Sequence, residues 1–293
     1  MNITSLDKLL NSYDTFILDA YGVFWASSEL GLFPGAQEAM QTLVKENKQV
    51  IILSNSTQLA AKEQAKYAKQ GLLKDVHYHV LLTSGEITHD LLLQEDLPFP
   101  TPRKTYFLFS GNHPRFLPDS LLFEQTAYRQ TENLEEADFI YVGIPHINGV
   151  DQEDPHLFEE RVKKASHMHI PVLCANPDKF AHEGNPARAV VRQGSIAELF
   201  RAQQNPVHEI GKPFELVYTC ALEKTSSPKE RILMIGDTPE TDIRGANNCS
   251  IASALITQTG IYAQRLPKKP LPPEDTPTHT IEALRLDAVY SAP

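Results

Sequence analysis

F-I-L-D-A-Y-G-V-F-W, running from Phe16 to Trp25, is the stretch on which the reading of this chain turns. Phe16, Ile17 and Leu18 form an apolar run that stops at a carboxylate, Asp19, and Gly22 follows within three residues. A buried parallel strand that delivers a charge to the carboxyl edge of a sheet reads this way, and open α/β folds place ligands at that edge. An Asp shortly before a Gly also fits an ordinary strand-ending turn. The order of three later stretches separates the two readings.

Outward from Asp19 the pattern alternates between short apolar runs and helical spacing, the mark of parallel βαβ units. Before the 15–19 strand, residues 5–12 are spaced as a short helix with Leu6, Leu9 and Leu10 on one side. After it come a helix over 36–47, a strand over 49–53 that stops at Ser54-Asn55-Ser56, and a helix over 58–70 closed by Gly71. A strand at 80–83 and a helix at 86–94 follow. The run L-P-F-P-T-P-R-K at 97–104 then reads as a linker. Beyond it lie strands at 105–109 and 138–142, a helix at 155–167, and a strand at 170–175 that closes at Asn176-Pro177-Asp178. Residues 97–178 are therefore expected to form an inserted α/β domain, with 1–96 and 179–293 as a discontinuous core. Helices at 194–203 and 214–224, a strand at 231–235 ending in Gly236-Asp237, and a last core strand at 251–256 complete that core. The proline-rich 266–277 segment is expected as an irregular strap, and 281–286 as a short helix.

Composition narrows the partners. The chain has 293 residues, 41% hydrophobic and 22% charged, which suits a soluble globular protein with a full core. Its net charge of −10, with no block of Lys or Arg, argues against nucleic acid and against an anionic membrane surface. No apolar segment approaches the roughly 18 residues of a membrane span. The first ten residues, M-N-I-T-S-L-D-K-L-L, lack a basic region followed by an apolar run, so no signal peptide is expected. Cys174, Cys220 and Cys249 are far apart and odd in number, which fits a reducing cytoplasm.

Four strand ends stand in sequence order: Asp19, Ser54-Asn55, Lys212 in I-G-K-P-F, and Asp237 with Asp242 in G-D-T-P-E-T-D-I. If the strands are parallel neighbours, all four meet at one sheet edge, and their chemistry is coherent. Asp19, Asp237 and Asp242 offer hard oxygens suited to Mg²⁺. Ser54 supplies a hydroxyl, and the amides after it can point at a phosphate where a helix begins. Lys212 can offset charge on a nucleophile and a phosphoryl group. Asp19 can attack phosphorus to give an aspartyl-phosphate.

In these motifs, their order and the position of the insertion, the chain resembles the haloacid-dehalogenase superfamily of hydrolases. The likeness is to the class IIA phosphatase lineage, in which a large α/β cap lies between the second and third motifs. The Asn176-Pro177-Asp178 turn resembles its p-nitrophenylphosphatase and nucleotide- or sugar-phosphatase branch. The resemblance implies a Rossmann-like core and a Mg²⁺-dependent hydrolysis of a small phosphorylated metabolite. It also implies Asp19 as nucleophile, Ser54 and Asn55 as phosphate binders and Lys212 as the third-motif lysine. Asp237 and Asp242 would complete the acidic site with Asp19 around the metal, the Tyr21 backbone carbonyl would be a further metal ligand, and Tyr21 is also a candidate substrate contact. It allows a homodimer, because caps of this kind form dimers in related proteins.

One position departs from the pattern. Family phosphatases carry a second Asp two residues after the first, which protonates the leaving oxygen and then activates water; here that residue is Tyr21. Tyrosine, with a reference pKa of about 10, is a poor base at neutral pH. Hydrolysis is therefore expected to be slow. The D-A-Y-G run also begins the metal-independent dehalogenases of the superfamily, which makes a dehalogenase-like hydrolase the alternative, with a weakened phosphate-ligand binder beside it.

Other features have plainer readings. His146 follows a cap strand and is a candidate substrate contact. His77 and His79, and His167 and His169, have metal-compatible spacing, but free surface histidines are commoner. Phe24 and Trp25 read as hydrophobic filling under the cap or at the entrance. The acidic run from Glu132 to Asp138 reads as a solvated face. Ser195 and His208 make no triad.

Overall fold

The computed structural model describes residues 3–27, 29–183, 188–264 and 270–287. Its central sheet has six parallel strands in the order His279–Ile281, Ala252–Ile256, Ile232–Gly236, Thr15–Leu18, Gln49–Ser54, Val80–Thr83. The first strand in sequence sits in the middle, between the strands that deliver Gly236 and Ser54. Leu18 pairs with Ile235 on one side and Ile52 on the other, so Asp19 leaves the sheet level with both neighbours' ends.

Alternation along each strand sorts the core into two faces. Phe16 and Leu18 join Val50, Ile52, Leu233, Ile235, Ala254 and Ile256 in one cluster, which the Ala36–Lys45 helix covers through Ala36, Ala39, Met40 and Leu43. Ile17 points the other way, with Ile51, Leu53, Ile232 and Met234, under Val217, Tyr218 and Ala221 of the Glu215–Leu222 helix. Both faces are dry, which is why these strands read as unbroken apolar runs.

A second sheet has five parallel strands in the order Val207–Glu209, Val172–Cys174, Phe139–Val142, Thr105–Phe109, Arg129–Thr131. The expected 97–178 segment stops short of it. The chain leaves through an antiparallel hairpin, Phe180–Glu183 with Arg188–Val191, and the Gln193–Ala202 helix. It then returns as Val207–Glu209 to pair with Val172–Cys174 before reaching Lys212. Val207–Glu209 is three residues long and only half-buried, so its apolar pattern is too weak to announce a strand.

Two further expectations fail near the end of the chain. Ala252–Ile256 is not the last core strand, because His279–Ile281 pairs beside it in parallel register, and the helix expected at 281–286 is replaced by bends and irregular chain after Ile281. An edge strand of three residues carries no period long enough to announce itself. The expected strap falls partly on 265–269, outside the described residues; the rest includes a turn at Pro273–Asp275, where Asp275 takes a two-pronged ion pair from Arg244 at 2.7 and 2.9 Å. Phe24 and Trp25 are core residues, stacked edge-on or tilted against Tyr67 at 5.4 and 5.2 Å. Among the described residues no helix is long and apolar enough to cross a membrane.

Candidate active site

The carboxyl ends of the three central strands converge. Asp19 donates its amide to the Ile235 carbonyl at 2.9 Å, which fixes its backbone against the Ile232–Gly236 strand. Its Oδ1 meets Lys212 Nζ at 2.5 Å, and the same ammonium holds Asp242 Oδ1 at 2.8 Å. The other Asp242 oxygen accepts the amides of Asp237 and Thr238, both at 3.1 Å, so this buried carboxylate shapes the loop as well as the charge. Asp237 accepts from Thr238 Oγ1 at 3.1 Å and from the Ile261 amide at 2.5 Å. Gly22 and Gly260, both at positive φ, flank it; a Cβ on either would collide with its carboxylate.

Asp19, Asp237 and Asp242 each offer an oxygen within 4.8 Å of the others, the one cluster of metal-ligand type among the described residues. Burial pushes Asp19 up to about 7 against the pull of Lys212, with Asp242 and Asp178 adding to the rise. Burial, with the neighbouring Asp19 and Asp242 charges, raises Asp237 well above the usual carboxylate range. For Lys212 burial acts downward, but the carboxylates of Asp19, Asp242 and Asp178 outweigh it and hold the ammonium charged. A single ammonium against three gathered carboxylates leaves the cluster short of positive charge. Hard oxygen donors in that state fit a small divalent cation.

Ser54 lies buried at its strand end and lines the same cavity as Asp19 and Asp237; its Oγ accepts the Ser56 amide at 3.2 Å. Asn55 lines the cavity too, but its side chain is committed elsewhere. Its Oδ1 accepts the Lys212 amide at 2.7 Å, while Nδ2 donates to the Lys212 carbonyl at 3.1 Å and to Asp178 Oδ1 at 2.9 Å. The expected phosphate binder thus ties the second strand end to the lysine loop.

Tyr21 lines the cavity with its hydroxyl accepting from Lys66 Nζ at 2.9 Å. That ammonium also pairs with Glu63, which takes the Ser56 hydroxyl at 2.9 Å, and lies 4.9 to 5.1 Å from the ring centres of Tyr21, Trp25 and Tyr67. Burial and the Glu63 charge raise the Tyr21 phenol, with Lys66 opposing. His146 does not join the site. Its Nδ1 accepts the Gly149 amide at 3.0 Å and its ring packs edge-on to His113 at 5.0 Å, away from the residues that line the cavity. The loop after Phe139–Val142 instead sends Ile144 there. His77 and His79 cap backbone amides of Leu73 and Val50, a structural use.

Sequence reasoning missed Asp178. It lines the cavity, and burial lifts its carboxyl to about 6 against Lys212 and the Asn55 hydrogen bond. The signal was available, because an Asp closely following an apolar strand is the same sign that marked Asp19.

Two family models match: haloacid dehalogenase-like hydrolase over residues 16–115 and its HAD-like hydrolase counterpart over 209–286, together more than half of the chain. The chain belongs to the haloacid dehalogenase-like hydrolases. It is a phosphatase-type member of class IIA of that superfamily. Chronophin of Mus musculus is 24% identical over 267 residues, covering 88% of this chain and 85% of its own. A solved 4-nitrophenylphosphatase from Thermotoga maritima is 27% identical with a TM-score of 0.64, covering 94% and 96% of the two chains. A haloacid dehalogenase-like hydrolase from Brucella suis has a TM-score of 0.78 at 23% identity over 97% and 99%, a likeness of fold.

Proposed function

We propose that the protein hydrolyses a small phosphomonoester of the sugar-phosphate or nucleotide class through an aspartyl-phosphate on Asp19. The observation that carries this is the junction of Asp19, Lys212, Asp237 and Asp242, of which Asp19 and Asp237 line a cavity of about 500 Å³. Asp19, Asp237 and the Tyr21 carbonyl would hold Mg²⁺, with Asp242 acting directly or through water. When bound, the ion would neutralise phosphoryl oxygens and favour the ionised form of the nucleophile. Asp19 then forms the new O–P bond as the ester P–O bond breaks, and the leaving oxygen takes up a proton. Water attacks the phosphorus next, releasing inorganic phosphate and the free carboxylate. Lys212, fixed by Asn55 through its backbone, keeps one Asp19 oxygen oriented.

Residues from about 97 to 210 form the cap in this reading, covering the phosphoryl site through Arg115, Phe116, Leu117, Ile144 and Phe180. The relatives' printed activities, on 4-nitrophenyl phosphate for one, support phosphate ester chemistry. The gathered carboxylates favour it over the metal-independent dehalogenase alternative, whose chemistry has no use for a cation site.

The test is phosphate release from p-nitrophenyl phosphate, sugar phosphates and nucleotides, with Mg²⁺ and with chelator. Release that needs the cation and falls at least about 10³-fold in Asp19→Asn is expected. Release that survives chelation, or an Asp19→Asn protein with wild-type turnover, would refute the assignment.

A further inference from the structure

The Ala60–Ala68 helix and its C-terminal neighbour present Lys62, Lys66 and Lys69 to the same cavity that holds Asp19. Their spacing of four and three residues puts them on one helix face, about 6 and 4.5 Å apart along the axis at 1.5 Å per residue. The three are not equivalent. Lys66 is engaged by Tyr21, Glu63 and three aromatic rings. Lys62 and Lys69 are exposed, and among the described residues neither ammonium has a carboxylate within 4.0 Å. In a chain of net charge −10, two unneutralised cations at one cavity mouth are not a consequence of composition.

The same cavity is lined by a third cation, from the inserted segment. Arg115 holds Asp151 at 2.5 Å yet leaves 47% of its side chain exposed, and it lines the cavity beside Phe116 and Leu117. The carboxylates beside Arg115 are occupied: Glu183 and Asp151 are held by the buried Arg192 at 2.9 and 3.0 Å. The cavity is therefore acidic at its floor, where Asp19, Asp237 and Asp178 stand, and cationic at its mouth. With the phosphoryl group at the floor, the mouth faces the leaving part of the substrate.

Given the phosphatase reading above, we propose that the leaving part carries a second anionic group, a carboxylate or a second phosphate, which Lys62 and Lys69 bind together with Arg115 of the same cavity. Exposed ammoniums contribute modestly one by one, but two or three converging on one multiply charged group act together. Selectivity then appears in KM and weakens with salt.

The experiment compares matched pairs: glycerol 3-phosphate with 3-phosphoglycerate, and fructose 6-phosphate with fructose 1,6-bisphosphate. For the wild type, kcat/KM should favour the doubly anionic member by at least about tenfold, chiefly through KM. The Lys62→Gln/Lys69→Gln double variant should bring that ratio to within about threefold of one. Preference in only the first pair identifies a carboxylate, and in only the second a phosphate. A wild-type ratio at or below one in both pairs, or a ratio untouched by the double variant, overturns the proposal. Calorimetric titration of Asp19→Asn protein with the same compounds reads the preference without turnover. A binding preference retained in a wild type that releases no phosphate, even from p-nitrophenyl phosphate, would sink the phosphatase reading and spare this one.

Discussion

Tyr21 is where this site parts from its family's pattern, and its surroundings show what replaced the carboxylate. A phenol oxygen that accepts from an ammonium, itself paired with a buried Glu63, belongs to a closed polar group that makes a poor base. General acid–base help contributes about 10² to 10⁴ in rate. Tyr21→Asp should therefore raise turnover on sugar or nucleotide phosphates by at least about tenfold, and on p-nitrophenyl phosphate by less, since its leaving group needs little protonation. Steady-state rates on both classes, with acid-quench trapping of phosphoenzyme, check this; slower alkyl ester hydrolysis in a folded variant would give the phenol a positive role. Asn55 supports the site in a different way, through the Lys212 backbone. Asn55→Ala leaves buried partners unmatched and should cost about 1–3 kcal/mol in a urea titration, together with a fall in turnover. An unchanged midpoint would show that the Lys212 loop holds itself.

At the scale of elements, parallel strands bring catalytic ends together only if their opposite ends are level. Asp14 performs that alignment. Its amide donates to the Arg231 carbonyl and its carbonyl accepts the Gln49 amide, while its carboxylate takes Arg231 at 2.7 Å twice and Lys48 at 3.3 Å. The Arg231 hydrogen bonds, with help from Lys48, lower its carboxyl to about 2. A depressed acid contributes stability above its unfolded value, here 3.8, and loses it as pH falls towards 2. The side chain is 45% exposed, so screening limits the gain to about 1 kcal/mol. Asp14→Asn should thus be slightly less stable at pH 7, with the gap to wild type closing between pH 4 and 2 in thermal melts. A gap that stays constant over that window would assign the effect to shape instead of charge.

For the whole molecule the decisive feature is that the two sheets share one hydrophobic cluster. It runs from Ile17 and Ile51 through Ile87 and Leu92 to Tyr106, Phe123 and Phe139. A chain built this way should unfold in one calorimetric transition, with van't Hoff and calorimetric enthalpies equal. Two resolved transitions would show the cap to be an independent unit. Removing residues 97–210 should leave a core that exposes this face and binds hydrophobic dye. The sequence by itself determined the doubly covered parallel sheet, because dry strands must be apolar without interruption. Strand ends, where such runs stop at a polar residue, also made Asp19, Ser54 and Asp237 legible as candidates, whereas Lys212 follows Val207–Glu209 of the second sheet and ends no strand of the central one. Tertiary structure alone decided the rest. The return of Val207–Glu209 to the second sheet depends on a pairing between distant segments that leaves no local period. Asn55 as a brace and Lys66 in its ring cage depend on side-chain directions fixed only when separate loops meet. The cationic mouth likewise exists only because the fold brings one helix face and Arg115 to the same cavity.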